Sequence, residues 1–292
     1  MVKQRLTLLP VAEEQVATVV PARVEAPATV REQVEVTSIS KLSQGGRWRT
    51  EASRSYDRPC LIWFTRGQGR ITVAGRSGGY GAHSAIFLPA GTMHSFSATA
   101  SVLGSLVWLD HSKSDHWPNE TQHLRIREVH RQRELTGLIE NIEREGMSDA
   151  AHAKEAVEHH AGLLAIWFDR ICSELAAVAE AKPYESAAHR LTQAYTALIE
   201  QDFTDTVGVQ HFAKKLGVTP THLSRACREA SGKAALEILS ERRHFEACRL
   251  LKDTKLPVST VARRTGFASS AYFTRAFRAR AGQSPTQFRT NR

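Results

Sequence analysis

The sequence is poor in cysteine and lacks any long apolar run. Its four cysteines, Cys60, Cys172, Cys227 and Cys248, do not have the spacing of a zinc site or a redox motif, which is typical of proteins of the reducing cytoplasm. No apolar segment is long enough to cross a membrane. Residues 1–5 are basic, but Pro10 and the acidic pair at 13–14 interrupt the apolar stretch behind them, which disfavours a signal peptide. We therefore expect a cytoplasmic protein, and 292 residues suffice for two domains.

Acidic residues are scarce in the C-terminal third. Residues 187–292 contain 18 Lys and Arg and 8 Asp and Glu, a net charge of +10 (18 minus 8). The whole chain has a net charge of +9, so the residues before Ala187 sum to −1 (9 minus 10). A localised basic excess is typical of a surface that faces phosphate groups, although Lys and Arg also solvate ordinary helix faces.

A helix-turn-helix pattern is centred on Gly217. Small and apolar residues precede this glycine, which can adopt the left-handed conformation of a tight turn. Thr219 is a natural N-cap, and Pro220 suits the first position of a second helix. In that helix Leu223 and Ala226 share an apolar face with Cys227. The opposite face is polar and basic, and it consists of Thr221, His222, Ser224, Arg225 and Arg228.

The same pattern recurs 49 residues later (266 minus 217) around Gly266. Ser269 is the N-cap of its second helix, in which Phe273 and Phe277 are expected to face inward. An alanine precedes each turn glycine by four residues, where a small side chain lets two helices cross closely. The outward residues of this copy are Ser270, Ala271, Thr274, Arg275 and Arg278.

A more specific pattern spans residues 258–289. It consists of Ala262, Gly266, Phe267, Tyr272, Phe273, Arg275, Phe277, Gly282, Ser284, Pro285, Phe288 and Arg289. This pattern resembles the signature segment of the AraC/XylS family of bacterial transcription regulators. Upstream, Arg242, Ala247, Leu250 and Leu251 resemble the long central helix of that family. The resemblance covers roughly 187–292, with two departures: residues 234–235 are alanines where a proline often stands, and Cys227 replaces a common aromatic residue.

The resemblance implies an all-α DNA-binding domain over 184–292, with helix-turn-helix motifs at about 206–228 and 255–279. The central helix would present both second helices to successive major grooves, about 34 Å apart. By residue-by-residue analogy, phosphate contacts are expected from Arg228, Ser269 and Arg278. Base contacts are expected from Thr221, His222, Ser224, Arg225, Ser270, Ala271, Tyr272 and Arg275. For Tyr272, packing in the core beside Phe273 is an equal alternative.

Four short runs in the first half of the chain are typical of strands, at 61–64, 70–73, 85–88 and 102–109. Gly-rich turns separate them, and this spacing predicts a sandwich or barrel. Residues 89–96 resemble the Pro-x-Gly-x-x-His segment of cupin barrels, and such a barrel is the usual sensory domain of the family. We therefore expect a cupin-like domain over 41–112, preceded by a flexible N-terminal arm over 1–40 that could include one strand.

Histidine is absent from residues 47–69, where a catalytic cupin would place metal ligands. His94 is the remaining motif ligand, and one imidazole does not make a metal site, so we expect no metal, no cofactor and no enzyme activity. The barrel is instead expected to hold a small-molecule effector. An aromatic acid and a sugar both fit the sequence, and so does a barrel without a ligand. Its candidate pocket residues are Trp63, Arg66, His94, Phe96 and Trp108, whose aromatic rings would equally well fill a small barrel.

A helical linker is predicted over 113–183, with residues 181–185 as the join between domains. One apolar stripe has the alternating spacing of four and three that is typical of a heptad seam. It consists of Val157, Ala161, Leu164, Phe168, Ile171 and Leu175. Packing onto the barrel would explain the stripe too, but the family resemblance implies dimers, so we expect it to form a homodimer interface.

The sequence thus predicts an α+β multidomain protein: a cupin-like β-barrel, a helical linker and an all-α domain with two helix-turn-helix motifs. The expected function is that of an effector-responsive transcription regulator that binds double-stranded promoter DNA. The resemblance favours an activator and implies RNA polymerase as a further partner. Two alternatives are a regulator governed by a protein partner and a cupin-type metalloenzyme fused to a DNA-binding module, which the metal content of the purified protein would distinguish.

Overall fold

The computed structural model describes residues 34–110, 114–178 and 186–291. β-sheets and long helices form the part up to residue 178, and the part from residue 187 onward is helical. The predicted mixture of sheets and helices with a helical C-terminal region is therefore confirmed. The predicted join at 181–185 and residues 1–33 of the predicted arm lie outside the described residues. Among the helices that the structure describes, none has the length and apolar character needed to span a membrane.

The described strands form two antiparallel sheets, one with the order β1-β7-β2-β5-β8 and the other with the order β4-β3-β6. The strands are β1 (Glu35–Ser38), β2 (Cys60–Arg66), β3 (Gly69–Val73), β4 (Arg76–Tyr80), β5 (Ser84–Leu88), β6 (His94–Phe96), β7 (Leu103–Trp108) and β8 (Gln122–Arg125). The helices of this part are α1 (Ile39–Ser43), α2 (Trp48–Glu51), α3 (Val129–Gly146) and α4 (Ala153–Val178). The four predicted strand segments correspond to β2, β3, β5 and β7 and are confirmed.

The two sheets face each other across an apolar layer. Phe64 of β2 stacks on Tyr80 of β4 with ring centres 3.8 Å apart, and its edge meets Phe96 of β6 at 5.6 Å. Ile62 and Ile71 complete the contact from the two sides. Because side chains alternate along a strand, the neighbouring residue Trp63 points to the opposite face of β2.

Helices α3 and α4 cover that opposite face of the larger sheet. Leu164 and Phe168 of α4 are fully buried, and the Phe168 ring lies 6.0 Å from that of Phe87 on β5. Trp63 donates a hydrogen bond from its indole nitrogen to the hydroxyl of Thr136 on α3, at 3.1 Å. The helix pair thus forms one layer with the sheet beneath it.

The prediction that the α4 stripe is a dimer seam is wrong. Leu175 is 41% exposed, but the other stripe residues are at most 7% exposed and pack against the sheet. They are Val157, Ala161, Leu164, Phe168 and Ile171. The physical reason is that an apolar stripe with a spacing of four and three covers a sheet as well as it pairs with a second helix. Without α4, the large apolar side chains on this face of the sheet would be exposed to water.

Two strands lie outside the predicted barrel segment 41–112. Strand β1 lies inside the predicted arm 1–40 and pairs with β7, where Val36 is opposite Val107. Strand β8 lies inside the predicted helical linker 113–183 and pairs with β5, where Leu124 is opposite Ala85. Both are four-residue edge strands, whose formation depends on the neighbouring strand more than on their own pattern.

The C-terminal part is built around one long helix, α8. Residues on α8 contribute to two apolar cores: Leu239 packs with Phe212 and Tyr195 in the first, and Leu251 packs with Phe273 in the second. The helices are α5 (Ala187–Asp202), α6 (Val209–Lys215), α7 (Pro220–Ser231), α8 (Ala235–Asp253), α9 (Val258–Arg264), α10 (Ser270–Ala281) and α11 (Pro285–Thr290). Each core therefore joins one short helix pair to α8.

Candidate nucleic-acid interface

The first helix pair, α6 and α7, has the turn that the sequence predicts. Gly217 has a φ of +67°, which favours glycine, and the next amide, of Val218, donates to the carbonyl of Ala213 at 2.9 Å. The Thr219 hydroxyl caps α7 by accepting a hydrogen bond from the amide of His222, and Pro220 occupies the first turn. The turn and cap fix where α7 begins.

The second pair, α9 and α10, repeats this geometry. The Phe267 amide donates to the carbonyl of Ala262 at 3.0 Å, and the Ser269 hydroxyl accepts from the amide of Tyr272. Gly266 has a φ of +76°, and a Cβ atom there would lie 2.6 Å from the carbonyl oxygen of Phe203. Glycine is therefore required at this position for two reasons: its backbone adopts a positive φ, and a Cβ atom would not fit.

The outward faces of α7 and α10 contain the residues predicted to contact DNA. On α7 these side chains are exposed except Ser224, which is half-buried, whereas Leu223 and Cys227 are fully buried. On α10 Phe273 and Phe277 are buried, and Tyr272 is 59% exposed, so core packing does not account for Tyr272. The exposed residues on the two helices are Thr221, His222, Arg225, Arg228, Ser270, Ala271, Tyr272, Arg275 and Arg278, together with the cap residue Ser269.

Four exposed arginines of these helices have no carboxylate partner in the part of the chain that the structure describes, whereas a fifth, Arg280, pairs with Glu241. Arg225 lies within 3.4 Å of the His222 ring, and no described Asp or Glu pairs with Arg225, Arg228, Arg275 or Arg278. Unpaired guanidinium groups on one surface create a positive potential, which attracts phosphate groups.

The carboxylates behind this surface are neutralised internally. The Lys215 ammonium lies 2.6 Å from Asp202, the Lys233 ammonium lies 2.8 Å from Glu241, and the Arg249 guanidinium lies 2.5 Å from Glu246. The hydrogen bonds from Lys215 and His211 lower the pKa of Asp202 even though burial opposes this shift. The net positive charge of the domain therefore remains on its exposed faces.

Sequence reasoning missed two residues that position the helix pairs. Glu241, 6% exposed on α8, pairs with Lys233 after α7 and with Arg280 on α10. Arg243, also on α8, donates hydrogen bonds to the carbonyls of Phe203, Asp205 and Val207, which lead into the first pair. A charged residue within a helix usually faces water, so the sequence pattern did not single these out.

The sheet part of the protein contacts α8 and α5 through a short segment after α2. The Ser53 hydroxyl donates to Glu241 at 2.7 Å, and the Ser55 hydroxyl donates to Glu200 on α5 at 2.5 Å. Glu200 also accepts from Arg242 at 2.9 Å. One segment of the sheet part thus reaches two carboxylates of the helical part, the buried Glu241 and the half-buried Glu200.

The residues predicted to line an effector pocket do not surround one cavity, so that prediction is wrong. Trp63 faces α3, whereas Phe96 lies between the sheets. Arg66 is exposed at the end of β2, and Trp108 is half-buried against Tyr56, with ring centres 5.8 Å apart. The physical reason is strand alternation, which sends Trp63 and the inter-sheet residues to opposite faces of the same layer.

His94 is buried near that aromatic group. Its ring lies 5.1 Å from Tyr56, and its Nδ1–H donates to the carbonyl of Thr92 at 2.9 Å. Burial, together with the nearby Arg54 guanidinium, lowers the pKa of His94 to about 3. Within the described ranges no three His, Cys, Asp or Glu side chains come close enough to hold a metal ion.

Known proteins resemble the C-terminal part of the chain. The model of a family described as "Helix-turn-helix domain" matches residues 212–291. The arabinose operon regulatory protein of Salmonella typhimurium is 33% identical over 94 residues, 30% of this chain and 34% of that protein. The probable transcription factor PqrA of Proteus vulgaris is 31% identical over 85 residues, 29% of this chain and 70% of that protein. The transcriptional activator AarP of Providencia stuartii is 33% identical over 91 residues, 31% of this chain and 67% of that protein. The chain thus spans about a third of the length of the arabinose regulator that it matches.

Proposed function

The chain belongs to the AraC/XylS family of transcription regulators, and we propose that it binds promoter DNA sequence-specifically through two helix-turn-helix units, α6 with α7 and α9 with α10. The observation that carries this proposal is the pair of capped helices whose exposed faces hold arginines without carboxylate partners. A helix of this kind fits the major groove with its N-terminal residues at the base edges. The central helix α8 sets the distance between α7 and α10, the helices that would contact the bases and that we call the two readers.

The two readers differ in chemistry. Arg225 and Arg275 are suited to bidentate hydrogen bonds with guanine. On α7 the remaining base contacts are assigned to Thr221, His222 and Ser224, which are all polar. On α10 they are assigned to Ser270, Ala271 and Tyr272, of which Ala271 can contact a thymine methyl group. One subunit therefore recognises two different short base sequences, which we call half-patterns.

Phosphate contacts complete the assignment. Arg228 and Arg278 lie one helical turn beyond the base-reading arginines and are exposed. Ser269 lies at the N-terminus of α10, where backbone amides and the helix dipole favour an anion. These contacts position the helices on the duplex without reading its sequence.

The sheet part is proposed to be a cupin-like sensory domain that responds to a small-molecule effector. Its two antiparallel sheets around an apolar layer support a barrel of this kind. The hydrogen bonds of Ser53 and Ser55 give a route by which a change in this domain reaches α8 and α5. Effector binding would then shift the populations of DNA-binding geometries.

Three further features of the proposal rest on the family alone. They are activation rather than repression, association of two copies, and contact with RNA polymerase at the promoter. Because the α4 stripe is buried within one chain, two copies would meet through another surface.

Genome-wide mapping of bound sites tests the function. We expect enrichment at promoters, and footprints containing two different motifs about one helical turn, or 10–10.5 base pairs, apart. Binding with no sequence preference would contradict the proposal. The genes beside the bound sites would also indicate the chemical class of the effector.

A further inference from the structure

A shallow cavity of about 390 Å³, open to solvent, lies at one end of the larger sheet, beside the first turns of α3. This volume is in the range of small-molecule sites. The cavity is separate from the residues predicted to form an effector pocket. Its lining consists of Ala82, His83, Arg125, Ile126, Arg127 and Gln132.

The pairing of β8 with β5 brings these residues together. Arg125 is opposite Ser84, and the Ile126 amide donates to the carbonyl of His83 at 2.9 Å. Leu124 and Ile126 are buried in the apolar cluster beneath α3 and α4. Because side chains alternate along an extended chain, the exposed side chains of Arg125 and Arg127 leave on the other side.

The cavity wall is held in place by Gln132 of α3. Its side-chain amide donates to the carbonyl of Ile126 at 2.9 Å and to that of Arg127 at 3.3 Å. These bonds tie the segment that carries both arginines to the helix. The amide group thus has a fixed orientation, and its oxygen remains able to accept a hydrogen bond.

Several polar groups at this cavity have no partner among the described residues. Arg125 and Arg127 pair with no Asp or Glu in the described part of the chain, and no carboxylate lines the cavity. The Nδ1 atom of His83 is buried and has no hydrogen-bond partner among the described residues. Buried polar atoms without partners are uncommon, since each costs free energy.

The backbone of His83 is also held in an unusual conformation. Its φ is +61°, in the left-handed region that non-glycine residues seldom adopt. The His83 amide donates to the carbonyl of Phe64 at 2.7 Å, which fixes this conformation, and the ring lies 6.0 Å from that of Trp63. Backbone strain of this kind is concentrated at binding sites.

We infer that this cavity binds a small anion through the guanidinium groups of Arg125 and Arg127, with the His83 imidazole as a third partner. The ligand chemistry is that of a carboxylate or a phosphate group, which arginine binds by paired, charge-assisted hydrogen bonds. The inference rests on the proposed function in one respect, since in a transcription regulator this site would hold the effector.

The test is calorimetric titration of the full chain with inorganic phosphate and, separately, with succinate, at constant ionic strength. We expect saturable binding of at least one probe, at one molecule per chain. Binding of phosphate alone would identify a phosphorylated effector, and binding of succinate alone would identify a carboxylic acid. We expect the double variant R125Q/R127Q to weaken binding at least about tenfold, because it removes both charge-assisted contacts.

Two further variants keep the test specific. Arg133→Gln changes an exposed arginine on α3 that does not line the cavity, and it should leave the affinity unchanged. His83→Asn removes the imidazole but retains a residue that tolerates a positive φ, and it should weaken binding without lowering the unfolding temperature. Absence of saturable binding, or equal weakening by Arg133→Gln, would overturn the inference.

Binding of the protein to its mapped DNA sites is measured in parallel, both without a probe and with each probe present. If DNA binds and neither probe does, the anion site is refuted while the proposed function stands. If a probe binds with the expected variant pattern and DNA does not, the site stands and the proposed function is refuted.

Discussion

The carboxylate of Glu241, in the middle of α8, lies 2.9 Å from the guanidinium nitrogen of Arg280 near the end of α10. The same carboxylate lies 2.8 Å from the Lys233 ammonium after α7, and it accepts a hydrogen bond from Ser53 at 2.7 Å. One buried group therefore connects both proposed readers and the sheet part. Its contacts fix the C-terminal ends of the two helices relative to α8.

Glu241→Gln should weaken this connection, because the amide keeps the shape of the side chain but loses its charge. We expect a loss of about 2 kcal/mol in the free energy of unfolding, less than the roughly 3 to 5 kcal/mol that breaking a fully buried ion pair costs, because both cations are partly exposed. We also expect a larger loss of affinity for DNA that contains both half-patterns than for DNA with one. Chemical denaturation and fluorescence anisotropy measure the two effects. The control is Glu229→Gln, an exposed carboxylate on α7, and equal effects of the two variants would contradict the assignment.

Arg275→Ala should reduce affinity for the promoter site by about 1 to 3 kcal/mol and relax the base preference at one position. The reason is the loss of a bidentate contact to a base edge. Competition binding against single-base variants of the site measures this. Arg278→Ala is the matched variant, and as a phosphate contact it should weaken all sequences alike and reduce the salt slope by about 1. A uniform loss for Arg275→Ala would recast that residue as a phosphate contact.

Because of His94, the protein should be less stable at mildly acidic pH than at neutral pH. In the folded state its pKa is lowered to about 3, from an ordinary value of 6.5, so between these values the unfolded chain binds the extra proton. Stability therefore falls as pH drops below about 6.5, by about 2 kcal/mol at pH 5 from this residue alone. Urea denaturation at pH 7 and pH 5 measures the loss. We expect His94→Gln to reduce the difference between the two pH values and His130→Gln, an exposed histidine on α3, to leave it unchanged.

Leu164→Ala should destabilise the sheet part by about 2 to 5 kcal/mol, because it opens a cavity in a fully buried layer. The adjacent Leu163 is 54% exposed, and Leu163→Ala should change stability by no more than about 0.5 kcal/mol. Denaturation curves give both values. Light scattering should show the same oligomeric state for both variants and the parent, and a selective loss of dimers in Leu164→Ala would restore the α4 stripe as an interface.

Purified protein should contain no stoichiometric Fe, Mn or Zn. Within the described residues no cluster of three potential ligands surrounds a common point, and catalytic metal sites require at least that number. Elemental analysis by mass spectrometry measures the content. A metal at one equivalent per chain would favour the metalloenzyme alternative.

Local sequence signals predicted the two helix pairs of the C-terminal part well. Gly217, Thr219 and Pro220 define a turn and a helix start through backbone preferences that act within a few residues. The same holds for Ser269, whose hydroxyl caps α10. The strand around Trp63 was predicted from its composition. Such features are determined by the sequence alone, because the groups that produce them are neighbours in the chain.

The partner of an apolar surface was decided only by the tertiary structure. The spacing of Leu164 and Phe168 suits packing on a sheet and packing on a second helix equally. In the structure these residues cover the apolar face of the larger sheet, which would otherwise be exposed to water. The pairing of β8 with β5 likewise placed Arg125 beside His83, and the packing around α8 placed Glu241 beside Arg280. These contacts join residues about 40 positions apart. Sequence determined where helices and turns begin, whereas packing between distant segments determined which side chains meet, since no local preference encodes a distant partner.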